Sequence, residues 1–149
     1  MNHRRFSALV FGTVLPFVLC VPTEAAAAKS EVKGAAILDH ACGKVAVKQM
    51  GLVHTGKMDD ANKLSTKEMQ DQWKAMPAKD RTMMAGMMKD MSQTEGEYSA
   101  DVKSNGLLVV DGAAATLTVK KTTKDKNGTS TSTTTQSFKI DGGQCMITR

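Results

Sequence analysis

Ala113-Ala114-Ala115-Thr116-Leu117-Thr118-Val119-Lys120-Lys121 is the stretch on which the fold turns. Ala115, Leu117 and Val119 fall on one side, and Thr116, Thr118 and Lys120 on the other. Strict alternation of this kind marks a strand with one buried face. Downstream, Asn127-Gly128 is a strong hairpin signal. It makes the threonine-rich run Thr129 to Ile140 the returning strand of a long, solvated hairpin rather than a linker, because threonine is a good strand former. Working outward, Leu107 to Val110 is a short apolar strand ended by Asp111-Gly112, and Asp141-Gly142-Gly143 turns into a last strand, Gln144 to Thr148. Glu97 to Lys103 also alternates, with Tyr98, Ala100 and Val102 on one face and Asn105-Gly106 available to turn the chain.

The residues before this block follow the helical period. Ser30 suits the cap of a helix over Glu31 to Gly51. On it Leu38, Ala41, Cys42, Val45 and Leu52 share an arc of about 100°, opposite Lys33, His40, Lys44 and Lys48. Gly34 and Gly43 each weaken that helix by up to ~1 kcal/mol relative to alanine, and allow close packing on another element. After a break at Thr55-Gly56, Lys57 to Leu64 reads as a short helix, and Ser65-Thr66-Lys67-Glu68 as a capping box opening the next. Met69, Trp73 and Met76 share one face of that helix. Pro77 suits the first turn of a further helix reaching Met91. Helices followed by antiparallel strands predict an α+β domain, with the helices gathered on one face of a curved sheet.

The first 28 residues read as an export leader: a positive start at Arg4 and Arg5, an apolar run, and small residues at Ala26 and Ala28 before the cleavage point. The run is shorter than the ~20 residues a bilayer requires, so no stable membrane span is expected after cleavage. Residues 29–149 then form a single domain in the periplasm or outside the cell. The leader takes Arg4, Arg5 and Glu24 with it, so the 20 basic and 15 acidic side chains fall to 18 and 14. Only Trp73, Tyr98 and Phe138 remain as aromatics, against ten methionines. That is too few exposed rings for a stacking nucleic-acid platform. Cys42 and Cys145 remain too. In an oxidising space they have one intramolecular pairing, the alternative being two separate buried thiols. No CxxC pair accompanies them to suggest a metal site.

Three stretches resemble small exported domains of the nuclear transport factor 2-like superfamily, a cone-shaped roll related to cystatin-like folds. They are the opening helix with its loop and short helix ending at Leu64-Ser65, the strand after Asp111-Gly112, and the ending Phe138-Lys139-Ile140-Asp141-Gly142-Gly143-Gln144-Cys145-Met146-Ile147. Cys145 stands where the family usually packs a tryptophan inward against the helices. The resemblance therefore implies that Cys145 meets Cys42 on the first helix. It also implies a binding role, including that of a periplasmic immunity or inhibitor protein, with a protein or small apolar ligand as partner.

Enzymes of this fold place acid–base residues inside the cone. Here Asp101 alternates away from Tyr98, His40 lies on a polar face, His54 lies near a loop, and no GxSxG nucleophile elbow or phosphate loop occurs. The expectation is a non-enzymatic domain without a cofactor. The methionines are the sharpest chemical feature. Met83, Met84, Met87, Met88 and Met91 share an arc of about 140° on one helix. Met84, Met87, Met88 and Met91 are candidates for a Cu(I) site, since thioethers select that soft ion. The favoured reading is that methionine replaces leucine and phenylalanine as core filler. Lys33, Lys44 and Lys48, with Lys120, Lys121, Lys124 and Lys126 near the hairpin, serve solubility and edge protection or meet an acidic partner.

Overall fold

The computed structural model describes residues 29–126 and 128–149. Residues 1–28, read above as an export leader, and Asn127, read as part of a hairpin signal, lie outside the described residues. Eleven elements follow in order: β1 (Ser30–Lys33), α1 (Ala36–Asp39), α2 (Ala41–His54), α3 (Met58–Asn62), α4 (Lys67–Ala75), α5 (Ala78–Met91), α6 (Glu95–Asn105), β2 (Gly106–Asp111), β3 (Ala114–Asp125), β4 (Gly128–Asp141) and β5 (Gln144–Thr148). The strands make one antiparallel meander, β1-β2-β3-β4-β5, with the helices packed against it. The α+β class holds, with a sheet that leaves β1 and β5 as edges.

The alternating stretch forms the centre of this sheet. Ala115, Leu117 and Val119 are buried, and Leu117 pairs with Leu108 on β2. Phe138 faces Ala115 across the β3–β4 ladder and is buried as well. Beyond Val119 the described side chains of both strands are exposed as far as Thr135, so the hairpin projects from the core as a threonine-rich arm. Cross-strand pairs such as Thr122 and Thr131, whose hydroxyls lie 3.2 Å apart, support it. The β5 edge is covered by the segment before α4. Thr66 N–H donates to the Ile147 carbonyl (2.8 Å), and Ile147 N–H donates to the Leu64 carbonyl (2.9 Å). Covering an open edge in this way blocks pairing with another chain.

The structure corrects several local readings. The single helix over Glu31 to Gly51 is instead β1, α1 and α2, and Ser30 starts a strand rather than capping a helix. Gly34 takes φ +66°, which reverses the chain after β1, and His40 is extended (ψ 143°) between α1 and α2. That extended residue breaks the helical phase. Ile37, which the continuous wheel left off its apolar arc, is fully buried, as is Cys42, and Leu38 is only half-buried. A strand also precedes the helices, pairing with β2 by Glu31 opposite Val109 and Val32 opposite Leu108.

Glu97 to Lys103 is not a strand but the body of α6, and Asn105-Gly106 is a helix-to-strand junction rather than a turn. Thr94 and Glu97 form a capping box: the Thr94 hydroxyl accepts from Glu97 N–H (3.2 Å), and the Glu97 carboxylate accepts from Thr94 N–H (3.0 Å). The Thr94 hydroxyl also donates to the Glu97 carboxylate (2.8 Å), and this bond, then the one from Thr94 N–H, holds that carboxyl below the usual range. Tyr98 and Val102 are one helical turn apart and buried, whereas Ala100 is exposed. The period is therefore that of a helix. In α4 the start falls one residue later than read. Thr66 occupies the cap position, and Ser65 is buried in a bridge to Ile147.

Tyr98 carries a pH dependence. Burial, then the neighbouring Asp101 carboxylate, pushes its phenol up to about 12. A raised value means that its contribution to stability is full below the usual phenol value of about 10 and is lost as pH rises through about 12. Tyr98→Phe is expected to flatten the alkaline loss of stability by on the order of 2 kcal/mol, read as the difference between urea titrations of the two proteins from about pH 9 to 12.

Candidate functional site

The core consists of Ile37, Cys42, Ala46, Val47, Tyr98, Val102, Leu108, Leu117, Phe138, Cys145 and Ile147 with their smaller neighbours. The methionines of α5 are not part of it. This corrects the core-filler reading: Met83 is 62% exposed, Met87 58% and Met91 83%, with Met84 and Met88 near 40% and 39%. The aliphatic residues, one tyrosine and one phenylalanine complete the core without them. α5 carries five methionines and has no buried residue.

Two apolar cavities lie along α5. The first, about 250 Å³, is lined by Met58, Met69, Trp73, Met76, Met84 and Met88, with Gln49, Gln72 and Arg149 among its polar groups. The second, about 360 Å³, is lined by Met50, Val53, Met88, Met91, Tyr98 and Thr134, again with Gln49. Met88 and Gln49 are shared, so the cavities are neighbours on either side of them. Gln136 on β4 donates to the Gln49 side chain and ties this floor residue of α2 to the sheet.

Local sequence explains the walls. Met69, Trp73 and Met76 share the inner face of α4, as their spacing requires. The Trp73 indole N–H donates to the Asp59 carboxylate (2.8 Å), which fixes the ring between α3 and α4. Pro77 stands at the cap position of α5 and redirects the chain after α4. At the far end of α5, the Ser92 hydroxyl lies 3.4 Å from His54 Nδ1 and donates to the Lys89 carbonyl (2.6 Å).

The Cu(I) candidates are divided by this geometry. Met84 and Met88 join Met58, Met69 and Met76 on the first cavity, and Met88 and Met91 line the second. Met87 lines neither and is open to solvent. Sequence reasoning missed Gln49, Gln72 and Arg149, which are brought to the cavity by tertiary packing and the chain end. The lysine groups are spread apart. Lys33 pairs with Glu31 (3.0 Å), Lys121 approaches Asp101 (3.8 Å), and Lys44 lies near the β5 end of the sheet. Asp101 is not turned away from Tyr98 as the strand reading required. It shares α6 with it and accepts from the Gln93 amide (2.8 Å).

Cys42 and Cys145 are joined by a disulfide, with Cα atoms 5.0 Å apart across a sequence separation of 103. The bridge ties the first turn of α2 to β5. His40 lies beside it: its Nδ1 accepts from Cys42 N–H (3.2 Å), and its ring nitrogen and the two sulfurs lie within 4.8 Å of one another. Among the described residues no helix is long and apolar enough to cross a membrane. No protein-family model, curated protein or solved structure matches this chain.

Proposed function

We propose that this protein is an exported, non-enzymatic domain of the nuclear transport factor 2-like, cystatin-like roll type that holds a small apolar molecule beneath α5. One observation carries the reading: Met84, Met88 and Met91 of α5 stand over apolar cavities that lie outside the closed core. Cavities of this size and lining, with a few polar groups at the rim, match sites for small ligands. Methionine side chains are flexible and polarizable, so they close around ligands of different shape. The disulfide supports an oxidising location. The immunity or inhibitor role remains the protein-partner form of the same binding reading.

Trp73, the single tryptophan, lines the first cavity and reports on it directly. Titration with phenylnaphthylamine, a neutral apolar probe, is expected to change Trp73 emission saturably with a Kd of about 1–10 μM. Met84→Gln together with Met88→Gln is expected to weaken binding about tenfold while leaving far-UV circular dichroism unchanged, since both side chains are partly exposed. Binding weaker than about 1 mM would overturn the reading.

The second reading is a Cu(I) site, favoured by one specific observation: the five thioethers of Met58, Met69, Met76, Met84 and Met88 line one cavity. Anaerobic titration of Cu(I) against a chelator separates the two. Tight metal binding without phenylnaphthylamine binding supports copper, and the reverse supports the apolar ligand.

A further inference from the structure

The disulfide is asymmetric in its surroundings. Cys42 is fully buried, whereas Cys145 is 6% exposed and lines a solvent-open cavity of about 470 Å³. Lys44 and Lys63, the latter paired with Asp60 (2.7 Å), stand on the same cavity wall, with Ser65, Gln70 and Gln144 as further polar groups. Cys42 lies in the first turn of the 14-residue α2, whose N-terminus favours negative charge, and His40 borders both sulfurs. A thiolate in such surroundings is a better leaving group than an ordinary cysteine.

We infer that the Cys42–Cys145 bridge is a thiol-exchange site, opened at Cys145 by an anionic low-molecular-weight thiol that enters through the lysine-flanked cavity. The incoming thiolate attacks Sγ of Cys145, and a new sulfur–sulfur bond forms there. The Cys42–Cys145 bond breaks, and its electron pair leaves on Cys42 as a thiolate at the start of α2. Cys145 is thereby carried as a mixed disulfide, and one external thiol has supplied the electrons. The reverse attack by Cys42 restores the bridge and releases the external thiol. Buried Cys42 offers no comparable route.

Reduced glutathione is the probe. Native protein is incubated with it, quenched with acid, and mapped by peptide mass. The adduct is expected on Cys145, with opening first order in glutathione. Lys44→Glu with Lys63→Glu is expected to slow opening by glutathione about threefold to tenfold and to leave opening by cysteamine, whose ammonium offsets the charge of its thiolate, within about twofold. Both lysines are exposed surface residues, so this variant keeps the fold. An opening rate independent of thiol concentration would show that the bridge yields only on unfolding and would overturn the inference. So would an adduct on Cys42, or equal slowing with both thiols.

Discussion

Replacing Cys42 and Cys145 together by alanine is expected to lower the unfolding free energy by about 2–5 kcal/mol, with a drop in Tm of roughly 10–15 °C. The bridge closes a loop with a sequence separation of 103, and loop closure of about 100 residues corresponds to about 4.7 kcal/mol in the chain-entropy model. It also holds α2 on β5, where Cys42, Ala46 and Ile147 belong to one core. The Cα separation of 5.0 Å lies within the ordinary range for bridged cysteines, so the backbone accommodates the link. Urea titration of the oxidised protein and the double variant measures the difference. A loss below about 1 kcal/mol would mean that helix and sheet stay docked without the link. Equilibrium stability and exchange at Cys145 are compatible, because the first concerns the unfolded ensemble and the second the accessibility of one sulfur.

Gly43→Ala is expected to cost about 3 kcal/mol or more, the upper part of the range for overpacking. Helix propensity alone points the other way, since alanine in a helix interior gains up to ~1 kcal/mol over glycine. Gly43 is buried in α2, and a methyl group added there would land on the backbone carbonyl of Ile37 in α1. A carbonyl held by its own helix has no rotamer to swing away. Either α1 moves off α2, opening the core around Ile37, or the backbone of α2 deforms. Gly86 on α5 is the control. Nothing lies within 4 Å of a methyl group added there, so Gly86→Ala is expected to gain about 0.5–1 kcal/mol from propensity alone. Thermal denaturation of the two variants gives the sign directly. A neutral or stabilising Gly43→Ala would refute the close contact between α1 and α2.

The strands were legible because their signals are local. Alternation of Ala115, Leu117 and Val119, the Asp111-Gly112 and Asp141-Gly142-Gly143 turns, and the threonine partner strand each act over a few residues. Strand ends shifted by a few positions, since ladder pairing extends β3 to Asp125. The segment around Tyr98 shows the limit. Tyr98, Ala100 and Val102 satisfy a strand period, while Tyr98 and Val102 alone satisfy a helix period. Thr94 and Glu97, which cap the helix, were the signal that decides between them. His40 is a similar case. One extended residue reset the helical phase, moved Ile37 into the core, and turned an expected surface histidine into the neighbour of the disulfide.

The candidate site was legible only as a set of methionines. Their common face on α5 followed from spacing, but spacing does not say what that face meets. By itself the amino-acid sequence determined the α+β class, the antiparallel hairpin arm, the α5 helix and Cys42 and Cys145 as the two cysteines of residues 29–149. Each of these depends on neighbours in sequence or on a count. Tertiary structure alone decided that a strand precedes the helices and that the α5 methionines stay out of the core, with Met84, Met88 and Met91 over cavities. It also placed Cys145, and not Cys42, on a solvent-open wall. The physical reason is that burial belongs to pairs of surfaces. A helix or strand specifies its own apolar face, and only the assembled chain settles whether another surface arrives to cover it.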